Sequence, residues 1–142
     1  MNSRLLLAAL TAVLFGATAC EAAGPRSVQF ETQLVPFDQS DPTGLIDVSV
    51  TQRILDISGD IAVTCGQDRF EHTYQQTSNE VALTVVVTSP GAGEECTEPE
   101  GDVRYFFRLL PVQAGQLRVT VEHQGDPERE DGIVEDTQIS VQ

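Results

Sequence analysis

The sequence contains no lysine and no tryptophan, and it has few basic residues of any kind. Eight arginines stand against 22 aspartates and glutamates, which gives a formal net charge of −14 at neutral pH. Such a surface repels phosphate groups, whereas binding to nucleic acid depends on neutralising them. The composition therefore argues against nucleic acid as a partner. With two tyrosines, six phenylalanines and no tryptophan, an aromatic platform for carbohydrate is also poorly supported.

The one long hydrophobic run lies at the N-terminus. Arg4 precedes an apolar stretch from Leu5 to Phe15, and the small residues 16–19 then lead to Cys20. This layout is typical of a secretion signal. The apolar stretch is shorter than the roughly 20 residues that cross a bilayer. We therefore expect a signal peptide helix that is cleaved, and not a permanent transmembrane helix.

The residues around this site resemble a known processing signal. Ala17-Thr18-Ala19-Cys20 resembles the lipobox of bacterial lipoproteins, with small residues before an obligatory cysteine; the departure is Ala17, where Leu is commonest. The resemblance implies cleavage before Cys20, attachment of diacylglycerol to its thiol together with palmitate-type acylation, and anchoring in a bacterial envelope membrane. In the alternative, an ordinary secreted protein is cleaved nearby and Cys20 is a chance thiol.

This interpretation divides the chain into three parts. Residues 1–19 are the signal peptide, residues 20–27 are the lipidated cysteine with a short tether, and residues 28–142 form one domain. The domain faces an extracytoplasmic compartment. If the host has two membranes, Glu21 after the lipidated cysteine favours the outer one, by resemblance to lipoproteins whose sorting depends on that position.

Once Cys20 is assigned to the lipid, Cys65 and Cys96 remain as a pair. A pair of cysteines in an exported protein is typical of a disulfide. The alternative is a pair of thiols for metal or redox chemistry. It is disfavoured because there is no Cys-x-x-Cys spacing and two ligands do not complete a structural zinc site.

Strand-like alternation dominates the chain from Val28 onward. Apolar runs separated by turn-forming residues predict seven or eight strands, including a central strand over Val81–Val87 and an edge strand that ends the chain. We expect turns at residues 58–60 and an antiparallel hairpin between residues 103–110 and 117–122. The sequence predicts an all-β, antiparallel sandwich. It resembles immunoglobulin-like or transthyretin-like sandwiches, although the tryptophan that packs on the immunoglobulin disulfide is missing.

Catalytic chemistry has little support in the sequence. His72 and His123 are the candidate imidazole bases, but His72 lies within a predicted strand, and no Gly-x-Ser-x-Gly motif supplies a nucleophile. Among so many acids, a pair spaced for glycoside hydrolysis arises by chance and carries no information. We therefore predict no enzyme activity, no catalytic residue and no cofactor.

Two acidic loops offer a different chemistry. One contains Glu94, Glu95, Glu98 and Glu100, and the other contains Asp126, Glu128, Glu130 and Asp131. The second loop resembles a calcium loop superficially, but its glycine comes one residue late and its twelfth residue is Thr137 in place of Glu. We expect solvated loops, with cation contact as the alternative, and we assign no metal ligand. The remaining ambiguous residue is Phe106, which either packs in a second face, the favoured interpretation, or forms an exposed contact patch.

Together these features predict a non-enzymatic interaction or accessory module of a bacterial cell envelope. It is held to the membrane through Cys20 and presents loops or an edge strand to another envelope protein. The alternative is a surface protein that binds a ligand or a divalent cation through its acidic loops.

Overall fold

Strands form where apolar and polar residues alternate. The computed structural model describes residues 26–40, 44–127 and 130–142, which form eight β-strands. Their bounds are β1 Ser27–Pro36, β2 Asp47–Thr51, β3 Ile54–Ile61, β4 Arg69–Gln76, β5 Glu80–Thr88, β6 Gly101–Leu110, β7 Gly115–Gln124 and β8 Gly132–Val141. These described ranges contain no helix that is long and apolar enough to cross a membrane. The predicted signal peptide, Cys20 and most of the tether lie outside them.

The strands form two sheets of four strands each. Sheet A has the order β1-β6-β3-β2 and sheet B the order β4-β5-β7-β8. The predicted all-β architecture is confirmed, as is the central position of β5 and the edge position of β8. The prediction that all strands pair antiparallel is wrong at one place, because β5 and β7 are parallel.

The core lies between the two sheets, where one face of each strand is buried. The inward side chains of β3 and β6 pack against those of β5 and β7, and each fully buried aliphatic or aromatic residue contributes about 1.5–3 kcal/mol to stability. The fully buried set includes Leu55, Ile57, Ile61, Tyr105, Phe107, Leu109, Val81, Leu83, Val85, Leu117, Val119 and Val121.

The predicted hairpin between β6 and β7 does not form, because the two strands lie in different sheets. The residues between them cross from sheet A to sheet B, and Val112 in this crossover is fully buried. Its backbone N–H donates to the Arg53 carbonyl at 2.9 Å, and Arg53 Nε donates to the Val112 carbonyl at 2.9 Å. These bonds attach the crossover to the β2–β3 turn, and β7 pairs with β5 and β8 instead of with β6.

The predicted turn at residues 58–60 is also wrong, since Ser58, Gly59 and Asp60 lie inside β3. A Cβ on Gly59 would lie 2.5 Å from Ile46 Cδ1 and 2.8 Å from the Tyr105 hydroxyl. Glycine is present here because neighbouring side chains approach the backbone closely, which is a known use of glycine within strands. The chain instead reverses at Gln52-Arg53, where both residues have positive φ.

Candidate functional site

The disulfide closes one end of the sandwich. Cys65 and Cys96 are bonded, and they join the β3–β4 connection to the β5–β6 connection. Both connections cross between the sheets, so the bond ties two crossovers together. Hydrogen bonds support it: Gly66 N–H donates to the Thr97 carbonyl at 2.9 Å, and Thr97 N–H donates to Gln67 Oε1 at 2.9 Å. The predicted disulfide is therefore present and has a structural role.

A cleft of about 430 Å³ opens between the sheets beside this disulfide. Its apolar lining comes from sheet A, from sheet B and from the loops that the disulfide joins. The apolar residues are Leu34, Val63, Phe70, Pro99 and Val103. The carboxylates of Asp68, Glu98 and Glu100 also border it. A mostly apolar opening with a few polar groups is the usual form of a binding site.

Strand β1 forms one lip of the cleft. Val28, Phe30, Thr32 and Leu34 pair with inward-facing residues of β6 and therefore point toward the space between the sheets. The first two are half-buried, but the last two are exposed, and Leu34 is 50% exposed. The side of β1 that faces sheet B is thus covered at Val28 and Phe30 and open at Thr32 and Leu34, whereas Val35, one residue further, is buried.

An aromatic stack closes the covered half. The rings of Phe30 on β1 and His72 on β4 are stacked with centroids 4.3 Å apart, and the ring centroids of His72 and Phe107 lie 6.0 Å apart in a T-shaped contact. Burial lowers the pKa of His72 below its ordinary value of 6.5, because desolvation disfavours the charged imidazole. His72 therefore joins the edges of the two sheets.

His123 belongs to the core, at the end of β7. Only 1% of the residue is exposed, and its Nε2 lies 3.0 Å from the hydroxyl of the fully buried Tyr105. Its Nδ1 lies 3.7 Å from Asp126 Oδ2, and Asp126 is also buried. A substrate in solution does not reach this imidazole, so its geometry fits a buried polar network.

Two carboxylates of the acidic loops accept hydrogen bonds from the backbone. Asp131 Oδ1 accepts the N–H of Gly125 at 2.7 Å, and Glu94 Oε2 accepts the N–H of Gly91 at 3.1 Å. Asp126 is turned toward His123. Glu128 lies outside the described residues. Within the part of the chain that the structure describes, no group of three or more His, Cys, Asp or Glu side chains is arranged to hold a metal ion.

The outer face of sheet A has an exposed aromatic residue at its centre. Phe106 on β6 is 42% exposed, so the interpretation that it packs in a second face is wrong, and its exposure is what the alternative of a contact patch requires. Its neighbours on the same strand each form a bidentate ion pair with β3: Arg104 with Asp60 at 2.6 and 2.8 Å, and Arg108 with Asp56 at 2.6 and 3.1 Å. The face is thus an aromatic ring between two cross-strand ion pairs.

Sequence reasoning did not identify Leu34 or the residues around Phe106 as a site. Leu34 continues the apolar alternation of Val28 and Phe30, and that pattern predicts burial. Nothing in the local sequence indicates that sheet B leaves this end of β1 uncovered. The chain matches no family model, no curated protein and no solved structure.

Proposed function

We propose that this chain is a lipid-anchored, non-enzymatic module of a bacterial cell envelope, and that its sandwich binds another envelope protein by strand addition at β1. The membrane address is inferred from the signal sequence and from the resemblance of Ala17-Thr18-Ala19-Cys20 to a lipobox. The binding mode is inferred from the edge of β1 beside the inter-sheet cleft, with which no other strand of the described residues pairs.

The edge of β1 carries the proposal. Among the described residues, this strand of ten residues pairs with β6 on one side and with no strand on the other. Natural edge strands are usually protected by lysine, by internal proline, by bulges or by short length. The edge strand β2 has only five residues. By contrast, β1 is long and has a single charged residue, Glu31.

The cleft supplies specificity for such an added strand. A strand paired with β1 would point alternate side chains toward the space between the sheets, because side chains alternate with period 2. These side chains would come next to Leu34, where the sandwich is open and where Val63, Phe70 and Val103 form the apolar part of a lining that also contains carboxylates. In strand addition, main-chain hydrogen bonds supply affinity and pockets for alternate side chains supply specificity. We expect an apolar residue in the partner at this place.

We also propose a fold type for the sandwich. Two packed sheets with eight strands in the described residues support an immunoglobulin-like or transthyretin-like sandwich. The departure is the disulfide, which joins two crossovers, whereas the immunoglobulin bond links the central strands of the two sheets. A likeness of architecture does not itself give a function.

Site-specific photocrosslinking in the producing bacterium tests the binding mode. A photoreactive residue at position 34 is expected to give a discrete protein adduct, since this position lies on the lip of the cleft. The control position is Ile133, which is 64% exposed on the edge strand β8 of sheet B. Equal adducts at both positions, or none at position 34, would contradict strand addition at β1. A Leu34→Lys variant should abolish the adduct from a neighbouring probe at Thr32.

Fatty-acid labelling tests the anchor separately. An alkyne fatty acid is expected to label the wild-type chain in the membrane fraction, whereas a Cys20→Ser variant should be unlabelled and no longer held by a lipid. Labelling that persists in the variant would show that Cys20 is not the acceptor.

A further inference from the structure

The outer face of sheet A has a notch between Phe106 and Asp47, with Ser58 at its base. The strand register places Glu31, Phe106, Ser58 and Asp47 in one row across the four strands. Serine has a shorter side chain than either neighbour in the row, most of all Phe106, so the row leaves a gap between Phe106 and Asp47. Two depressions of about 330 and 200 Å³ meet here, and Asp47, Ser58 and Phe106 border both.

The charge around this notch is unbalanced. The guanidinium groups of Arg104 and Arg108 are held by Asp60 and Asp56, and the hydrogen bond and charge of Asp56 raise the pKa of Arg108. Asp47 is exposed and forms no ion pair within the described part of the chain. The larger depression is bordered by three carboxylates but only one guanidinium. An anion is therefore repelled from the notch, and a cation is attracted to it.

We propose that this notch binds the guanidinium of an arginine in a basic segment of a partner protein. The ring of Phe106 offers a surface on which a cation stacks favourably, and arginine stacks on aromatic rings more often than lysine does. The carboxylate of Asp47 matches the planar fork of a guanidinium, which forms two parallel hydrogen bonds to a carboxylate.

The dimensions of the sheet suit a flat cation. Neighbouring strands lie about 4.8 Å apart, so Phe106 and Asp47, which are separated by one strand, have backbones about 10 Å apart. A planar guanidinium that stacks on the face of the Phe106 ring can turn its edge toward the Asp47 carboxylate over this span, above the short side chain of Ser58. The two flanking ion pairs hold their arginine side chains in place, so these do not occupy the gap.

The charge of the whole chain favours the same partner. With a net charge of −14 and no lysine, the protein attracts a basic segment over a distance and repels an acidic one. This inference rests on the proposed function in one respect: the arginine that the notch binds belongs to a partner protein. The notch and the β1 edge are different surfaces, and each has its own experiment.

A peptide titration followed by two-dimensional amide NMR tests the notch. The purified protein in detergent solution is titrated with the tripeptide acetyl-Gly-Arg-Gly-amide, and with the same peptide in which neutral citrulline replaces arginine. We expect saturable shifts at the amides of Asp47, Ser58 and Phe106 with the arginine peptide only. Equal shifts with citrulline, shifts that map to another surface, or no saturable shift at millimolar peptide would overturn the proposal.

Three variants separate a specific site from general acidity. Asp47→Asn should weaken binding of the arginine peptide about fivefold, because an exposed charge pair is lost. Phe106→Leu should weaken it about threefold through loss of the cation–ring contact. The matched control is Glu71→Gln on β4, an exposed strand carboxylate of sheet B, which should leave binding unchanged. An equal loss in Asp47→Asn and Glu71→Gln would mean only long-range attraction and would refute the notch.

The two proposals fail separately. Loss of peptide binding in Asp47→Asn with an intact crosslink at position 34 would leave strand addition standing. A missing crosslink at position 34 with intact peptide binding would leave the arginine notch standing.

Discussion

Replacing both disulfide cysteines should lower the free energy of unfolding of the domain by several kilocalories per mole. The Cys65–Cys96 bond has a sequence separation of 31 residues, and closing a loop of that length restricts the unfolded chain by about 3.7 kcal/mol on the chain-entropy account. The folded state should change little, because the bonds from Gly66 to Thr97 and from Thr97 to Gln67 hold the loops together without it. Truncating the buried Cys65 side chain adds a small packing loss.

Urea unfolding followed by circular dichroism measures this cost. The free energy of unfolding of Cys65→Ala/Cys96→Ala is compared with that of the oxidised wild type. The m-value should rise in the variant, because an unfolded chain without the crosslink exposes more surface. Reduction should destabilise the wild type by a similar amount and leave the double variant unchanged. A loss below about 1 kcal/mol would refute the argument that the bond acts through the unfolded state.

Three further predictions concern charge. Arg104→Met should lower the free energy of unfolding in urea by about 2–3 kcal/mol, because the side chain of Asp60 is only 6% exposed and loses this ion pair. Arg118→Met should lower it by less than about 1 kcal/mol, because the ion pair with Asp136 is exposed. Equal losses in the two variants would contradict this reasoning. The lowered pKa of His72 means that the unfolded chain binds its proton first as the pH falls through 6.5. The free energy of unfolding should therefore decline as the pH falls below 6.5, and it should decline less steeply in His72→Gln. An identical slope in the variant and the wild type would refute this role of His72. Millimolar calcium at constant ionic strength should leave the thermal midpoint unchanged, whereas a rise of several degrees would favour cation binding by the acidic loops.

Local alternation predicted most of the strands. The run Val81–Val87 is apolar and β-branched, and it became the central strand β5 with one fully buried face. The apolar residues Leu117, Val119 and Val121 likewise alternate with polar ones, and they form a fully buried face of β7. Such features depend on residues that are close together in the sequence, so the sequence alone predicts them.

Pairing between strands was harder to predict. The alternation of β6 and β7 is the same whether they form a hairpin or belong to opposite sheets, because each strand has one buried face in both cases. The outcome depends on the pairing of β7 with β5 and β8 in place of β6, and the crossover between β6 and β7 is bonded to Arg53, which lies 59 residues before Val112. The opening beside Leu34 is likewise set by where sheet B ends. Both candidate surfaces arise from such long-range register.

Gly59 offers a direct test of this difference between local and long-range causes. If Gly59 belonged to a turn, an alanine would be tolerated or would strain only the backbone. In β3, a Cβ would lie 2.8 Å from the Tyr105 hydroxyl, and that hydroxyl is held 3.0 Å from His123 Nε2 in the core. Gly59→Ala should therefore cost about 1–3 kcal/mol by urea unfolding, the usual cost of overpacking.

Gly91→Ala is the matched control for Gly59→Ala, because its Cβ would meet only Glu94 side-chain atoms, the nearest at 3.9 Å. It should change stability by less than about 0.5 kcal/mol, as surface substitutions usually do. Equal effects of the two substitutions would mean that Tyr105 and Ile46 move aside freely. In that case the close approach of Tyr105 and Ile46 would not explain why glycine occupies position 59 within β3.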